Sequence, residues 1–198
     1  ERILTRSEIS PQHRILPLLT LALIRARRGE PAGGLLDEAL DCAAGNQFRL
    51  HVHAARAEAA WLAGDDAATL AEVHRGLASV TVVTADGWPV GELRRCALLA
   101  GGTPDTAADR DAVTPYRLEL EGDWRAAAAE WMRLGCVYDA AVARLGGDID
   151  AVQSALATFR DLDARAAARR AQQRLPRLPG RAAGGPAAPS ISSVRRIT

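Results

Sequence analysis

Four times the chain places a glycine, usually followed by an acid, between two stretches of helical apolar periodicity. These are "RRGEPAGG" at Gly29, "LAGDDAATLAEV" at Gly64, "LEGDWRAAAAEW" at Gly122 and "LGGDIDAVQSAL" at Gly147. One device explains all four. Glycine ends a helix because it enters the left-handed region without the Cβ penalty. An acid just after it can accept from the open N–H groups of the next helix and sits well at its positive end. A chain punctuated this way is confined to helical hairpins.

Composition agrees. Apolar residues make up 48% of the 198 residues but aromatics only 4%, so the core must be built from Ala, Leu and Val. Alanine is the best helix former and lets helices approach closely. The expected class is all-α, with about ten helices and no sheet. Earlier pairs run from His13 to Arg28 with Leu35 to Ala44, and from Gln47 to Ala63 with Asp66 to Val80. Trp88-Pro89 opens a helix to about Leu99. Thr114 is expected to cap a helix that starts at Pro115. Asp148 should cap a helix to Phe159, and Asp163 the last one, to about Leu175. The only strand-like run, Thr81–Thr84, is too short to matter.

The helix after Gly122 has the clearest face. Trp124, Ala127, Ala128 and Trp131 fall at i, i+3, i+4 and i+7, with Met132 and Leu134 extending the stripe. Ala100–Val113 reads as a Gly/Pro/Asp loop. From Pro176 on, four prolines and three glycines with few apolar residues read as a linker. The expected organisation is therefore a helical domain over 1–175 and a Pro/Gly-rich tail over 176–198.

Charge is uneven. Every one of the 25 basic residues is arginine; nine of them, with two aspartates, lie from Arg160 on, against sixteen arginines and twenty-two acids before it. The uniform use of Arg fits a GC-rich coding bias. The chain opens at Glu1, as expected of a piece or processed product of a longer one, and its first residues lack the pattern of a signal peptide. Its longest apolar run, Ile15–Ile24, is far short of a membrane span. Cys42, Cys96 and Cys136 are widely spaced, without a CxxC, and are expected to be buried small hydrophobes in a reducing cytoplasm.

No catalytic or cofactor constellation emerges. His51 and His53 stand at i and i+2 on a helix, about 200° apart, and cannot easily chelate one metal; His13 and His74 add no ligand pattern. The pairs Asp65-Asp66, Glu119/Glu121 and Asp148/Asp150 are read as turn and capping acids rather than glycosidase carboxylates. Cys136, in "LGCVYD", is read as a helix stop. The candidates that remain are Trp61, Trp124 and Trp131, as packing or groove aromatics, and Arg169, Arg170 and Arg174, as phosphate-contacting arginines in the last helix.

Gly29 and Gly64 stand 35 residues apart, close to the ~34-residue tetratricopeptide period. Gly64 and Gly122 do not, so the repeats are degenerate or interrupted. The segments "ARAEAAWLAGD" (55–65), "PYRLELEGDWRAAAAEWMRLGCVYDAAVA" (115–143) and "DIDAVQSALATFRDLDARAAARRAQQRL" (148–175) resemble the C-terminal helical region of large LuxR-type bacterial transcription regulators. The resemblance spans Leu18 to about Leu175; Val137 departs from it, standing where the family often has Pro. It implies a tetratricopeptide-like array of antiparallel hairpins, an α-α superhelix, acting as a non-catalytic sensor or interaction domain. An ATPase-like module would lie upstream and a DNA-binding helix-turn-helix downstream. Neither is in this chain, which has no lysine for a Walker A loop and no Thr-x-Arg-Glu opening after the linker. The partners expected are a protein or a second copy and a small-molecule effector, with DNA reached only through the separate domain and no membrane. A free-standing helical scaffold is the alternative.

Overall fold

The computed structural model describes residues 10–43, 48–79, 87–103 and 112–177. Among them are ten α-helices and no strand: α1 Pro11–Arg28, α2 Gly33–Cys42, α3 Arg49–Ala63, α4 Asp66–Ala78, α5 Gly87–Leu99, α6 Thr114–Leu120, α7 Trp124–Arg133, α8 Val137–Arg144, α9 Ile149–Asp161 and α10 Arg165–Arg174, followed by a short 3-10 turn, Leu175–Arg177. The Thr81–Thr84 run, most of the Gly/Pro/Asp loop and the tail beyond 177 lie outside the described residues.

Three of the four glycine turns are built as the residues require; Gly147, before α9, does not take the left-handed conformation expected of it. Gly29, Gly64 and Gly122 take φ of 79°, 88° and 84°. Asp65, Asp123 and Asp148 each accept from a backbone N–H three residues on, at Ala68, Ala126 and Ala151. Such caps contribute about 1 kcal/mol apiece. Three expectations about helix ends are corrected. Glu30 does not cap α2, whose N-cap is Ala32; it pairs instead with Arg165 at 3.5 Å. Thr114 is already helical, with Val113 in the cap position. Asp163 is at φ 54° and is followed by Ala164 as the N-cap of α10, so its carboxylate pairs with Arg28 and Arg165 rather than capping.

The core is small-residue packing between helices. On α1 the buried side chains are Ile15, Leu18, Leu19, Ala22 and Ala26, a 3–4 spacing. On α8 they are Tyr138 and the run Ala140–Ala143 with Val142. On α10 they are Ala166, Ala167, Ala168 and Ala171. Ala127, Ala128 and Trp131 of α7 are buried as expected, but Met132 and Leu134 are 45% and 40% exposed. They lie off the stripe, because 100° per residue carries them past its edge. Cys96 is buried, whereas Cys42 and Cys136 are only half-buried.

α1 packs on α3 and α3 on α5, while from α5 to α10 each helix packs mainly on its neighbours in sequence. In an open array each repeat touches only its neighbours. Here α10 also packs against α1 and α3, so the array curls until its last helix meets its first. Arg169 lies over Gly29, where a Cβ would come within 2.8 Å of its guanidinium. Arg170 pairs with Asp66 at 2.5 Å and stacks 5.2 Å from the Trp61 ring.

Candidate functional site

The curl encloses charge. Glu58 of α3, 4% exposed, receives Arg27 of α1 through Nε at 2.8 Å and Nη2 at 3.1 Å, and the Tyr138 hydroxyl of α8 at 2.9 Å. The Arg27 guanidinium also lies 3.8 Å from the Tyr138 ring centroid. Burial alone would raise the Glu58 carboxyl; Arg27 overrides it, so Glu58 is held below the usual carboxylate range. Burial likewise works against the Arg27 charge, and Glu58 more than offsets it.

Arg95 of α5 is 2% exposed. Its Nη1 donates to Asp139 at 2.8 Å and lies 3.8 Å from Glu119. Its guanidinium faces the rings of Tyr116 and Trp131 at 4.9 and 5.7 Å. Glu119 in turn accepts the Trp131 indole N–H at 2.6 Å. Burial pushes the Glu119 carboxyl up to about 7 against the pull of Arg95. Glu92 is also pushed up to about 7, by burial and then by the Glu58 charge. Two arginines thus share this interior with four carboxyls, and protonation relieves the surplus.

One cavity adjoins this cluster, and a second lies beside the first. The first, of about 330 Å³, is walled by Arg95, Glu119, Leu98, Leu120, Trp124 and Arg174 among others. The second, of about 450 Å³, is walled by Trp61, Arg170 and Gln173 and shares Leu98, Leu99 and Arg174 with the first. Each falls within the range of small-molecule sites, about 300–1,000 Å³. They form two lobes of one cleft bordered by the end of α5 and by α10.

The residues singled out from sequence divide around it. Trp61, 2% exposed, lines one lobe and Trp124 the other. Arg125 stacks 4.2 Å from the Trp124 ring. Trp131 lines neither; it is buried, edge-on to Tyr116 at 5.0 Å and bonded to Glu119. Arg174 lines both lobes and Arg170 one, while Arg169 is exposed on the opposite seam with α1. Arg170 is engaged by Asp66 and Trp61, so its charge already has a partner.

Sequence reasoning missed Arg95, Glu58 and Tyr138 and misplaced Glu119, which is no turn acid. The available signal was phase: Arg95 lies four residues after Gly91 and three and four before Leu98 and Leu99 on α5. His53 is buried too, with Nδ1 2.9 Å from Glu72, which Arg56 and Arg75 also contact. Among the described residues no three His, Cys, Asp or Glu side chains converge on a metal position. Burial pushes the Cys96 thiol well up and the Cys136 thiol up, the opposite of an activated nucleophile. No helix among the described residues is long and apolar enough to cross a membrane. The chain matches no protein-family model, no curated protein and no solved structure.

Proposed function

We propose that this chain is a non-catalytic sensor domain that binds a small effector in the cleft between α5 and α10. The observation that carries the reading is a cleft of ligand size whose smaller lobe sets a few polar groups, Arg95, Glu119, Glu121 and Arg174, beside Leu98, Leu99, Leu120 and Trp124. Position supports the second half of the proposal, transmission. The cleft touches α10, and α10 leads into the Pro/Gly-rich tail, so an occupant pressing on Arg174 acts on the element nearest any following domain. The LuxR-like segments make that following domain a helix-turn-helix. This part of the proposal rests on the resemblance alone.

The test is a melting-shift screen of the chain against nucleotides, sugars, carboxylates, amines and amphipathic peptides, repeated with Leu98→Trp, which fills the wall common to both lobes. A compound that stabilises the chain but not the variant supports the reading. The absence of any hit across the panel sinks it. Reading the coding sequence after Thr198 tests the transcriptional part separately.

One observation favours a second reading, a protein-binding scaffold. Trp88, Met132, Leu134 and Val137 are each 40–46% exposed, and Trp88 and Met132 sit on helices whose rings meet at Trp88–Trp131, 6.1 Å. Concentration-dependent dimerisation lost in Met132→Glu, with no ligand from the screen, would favour it.

A further inference from the structure

Small side chains anchor α10. Its buried residues are Ala166, Ala167, Ala168 and Ala171, so nothing larger than alanine enters the core from this helix. Its hairpin partner α9 buries Val152, Leu156 and Phe159, and α8 buries Tyr138 and Val142. Apolar stabilisation scales with the area removed from water, so an alanine face holds a helix weakly. Ion pairs cross the rest of the seam: Arg165 to Glu30 at 3.5 Å, Arg28 to Asp163 at 3.4 Å and Arg170 to Asp66 at 2.5 Å. Apart from Arg170, these side chains are 44–59% exposed. Exposed ion pairs contribute little and weaken as salt rises. The C-terminal half of α10 also lies over a cavity. Arg170, Gln173 and Arg174 wall the larger lobe of the cleft, of about 450 Å³, opposite Trp61 of α3, Asp66 of α4 and the end of α5. Arg170 covers the Trp61 ring at 5.2 Å, and that residue is 2% exposed.

We infer that α10 is a lid latched by charge, which releases α1 and α3 while the other helices stay folded and so opens the larger lobe. The juxtaposition carries the inference: a helix with an alanine face, pinned by exposed ion pairs to the first two hairpins, roofs a space of ligand size. A helix held this way opens at lower cost than the core, as segments with few large apolar contacts do. Release also moves the element that leads into the Pro/Gly-rich tail. That the opened lobe admits an effector rests on the sensor reading; the opening itself does not.

The experiment follows maleimide labelling of the whole chain carrying Ala171→Cys, read peptide by peptide by mass spectrometry. Ala171 is 0% exposed on the buried face of α10, and the native Cys96 thiol, 1% exposed in a separate apolar cluster, is the internal reference for opening elsewhere. The introduced thiol is expected to react at least about tenfold faster than Cys96, because local opening outruns global unfolding. Raising sodium chloride from about 0.05 M to about 1 M should speed it a further threefold or so and leave Cys96 unchanged. Glu30→Gln combined with Asp66→Asn should do the same at low salt. Labelling no faster than that of Cys96 overturns the inference, since α10 then leaves only with the core. Fast labelling indifferent to salt and to the two acid variants overturns it as well, since a helix that frays from its end needs no latch. If Ala171→Cys lowers the urea midpoint, Ala167→Cys, also at a position 0% exposed, takes its place. A melting-shift screen without a hit sinks the sensor reading and leaves the lid standing. Labelling at the Cys96 rate sinks the lid and leaves the sensor reading.

Discussion

Trp131 gives its indole N–H to Glu119 at 2.6 Å, and both side chains are buried. The two residues belong to the two helices of one hairpin, α6 and α7. The bond ties the apolar stripe of α7 to the charged interior: the ring fills the small-residue interface while its one polar atom holds the carboxyl that faces Arg95. Trp131→Phe keeps most of the ring and removes the donor. It is expected to cost about 1–3 kcal/mol, because a buried acceptor loses its partner. Urea denaturation measures this; an unchanged midpoint would mean the bond contributes nothing net.

The Glu119 carboxyl also sets a pH dependence. It is raised from 4.5 to about 7, as is Glu92. Below about pH 4.5 both the folded and the unfolded chain hold these protons. As pH rises from there towards 7, the unfolded chain releases them and the folded one does not, so stability falls; above 7 the slope levels off. Glu58 and Glu72 are depressed and act the other way. Their contribution is present above about 4.5 and lost as pH falls through their lowered values. Glu119→Gln should therefore flatten the decline between about pH 5 and pH 8 by up to about 3 kcal/mol. Denaturant midpoints of the two proteins at both pH values test this, and parallel declines would sink it.

What was legible in the sequence was what is local. Asp65, Asp123 and Asp148 cap helices three residues ahead, and Trp124, Ala127, Ala128 and Trp131 share a face, because both rules operate within two turns of chain. The hairpins followed from those rules. The site did not. Tyr138 and Glu58 are 80 residues apart and Arg170 and Asp66 are 104 apart, and no periodicity within one helix encodes which helix will lie opposite. Glu119 and Arg95 misled for a related reason. A charged residue reads as solvated until its partner is known, and here the partners come from α7 and α8. Asp163 looked like a cap by composition, but the preceding turn left it at φ 54°, one residue too early.

Glycine substitutions separate packing from backbone freedom. A Cβ at Gly91 would lie 2.4–2.9 Å from the Cδ2, Cγ and Cβ atoms of Tyr116. Tyr116 cannot easily retreat, since Trp131 and Arg95 hold its ring. Gly91→Ala should thus lower stability by about 1–3 kcal/mol, as overpacking does. Gly33, at the start of α2, meets nothing within 4 Å, and Gly33→Ala should be neutral or stabilising by up to about 1 kcal/mol. Thermal midpoints of the pair decide the matter; equal losses would mean that helix ends, not the α5–α6 contact, limit stability.

The Arg27–Glu58–Tyr138 contact joins α1, α3 and α8 through charge, and a double-mutant cycle can ask what that contributes. Glu58→Leu leaves the Arg27 charge and the Tyr138 hydroxyl without their acceptor inside the curl. Removing one partner of such a pair typically costs about 3–5 kcal/mol. Arg27→Met alone strands Glu58 in the same way, with Tyr138 as its remaining donor. The double variant Arg27→Met, Glu58→Leu removes both charges and fills the space with apolar atoms. It should recover most of the loss, since a buried ion pair and a well-packed apolar pair are often of similar stability. Unfolding free energies of the four proteins at neutral pH give the coupling. A coupling near zero would show that the two side chains do not depend on one another, and the closure of α1 onto the array would then rest on its apolar contacts and its other ion pairs.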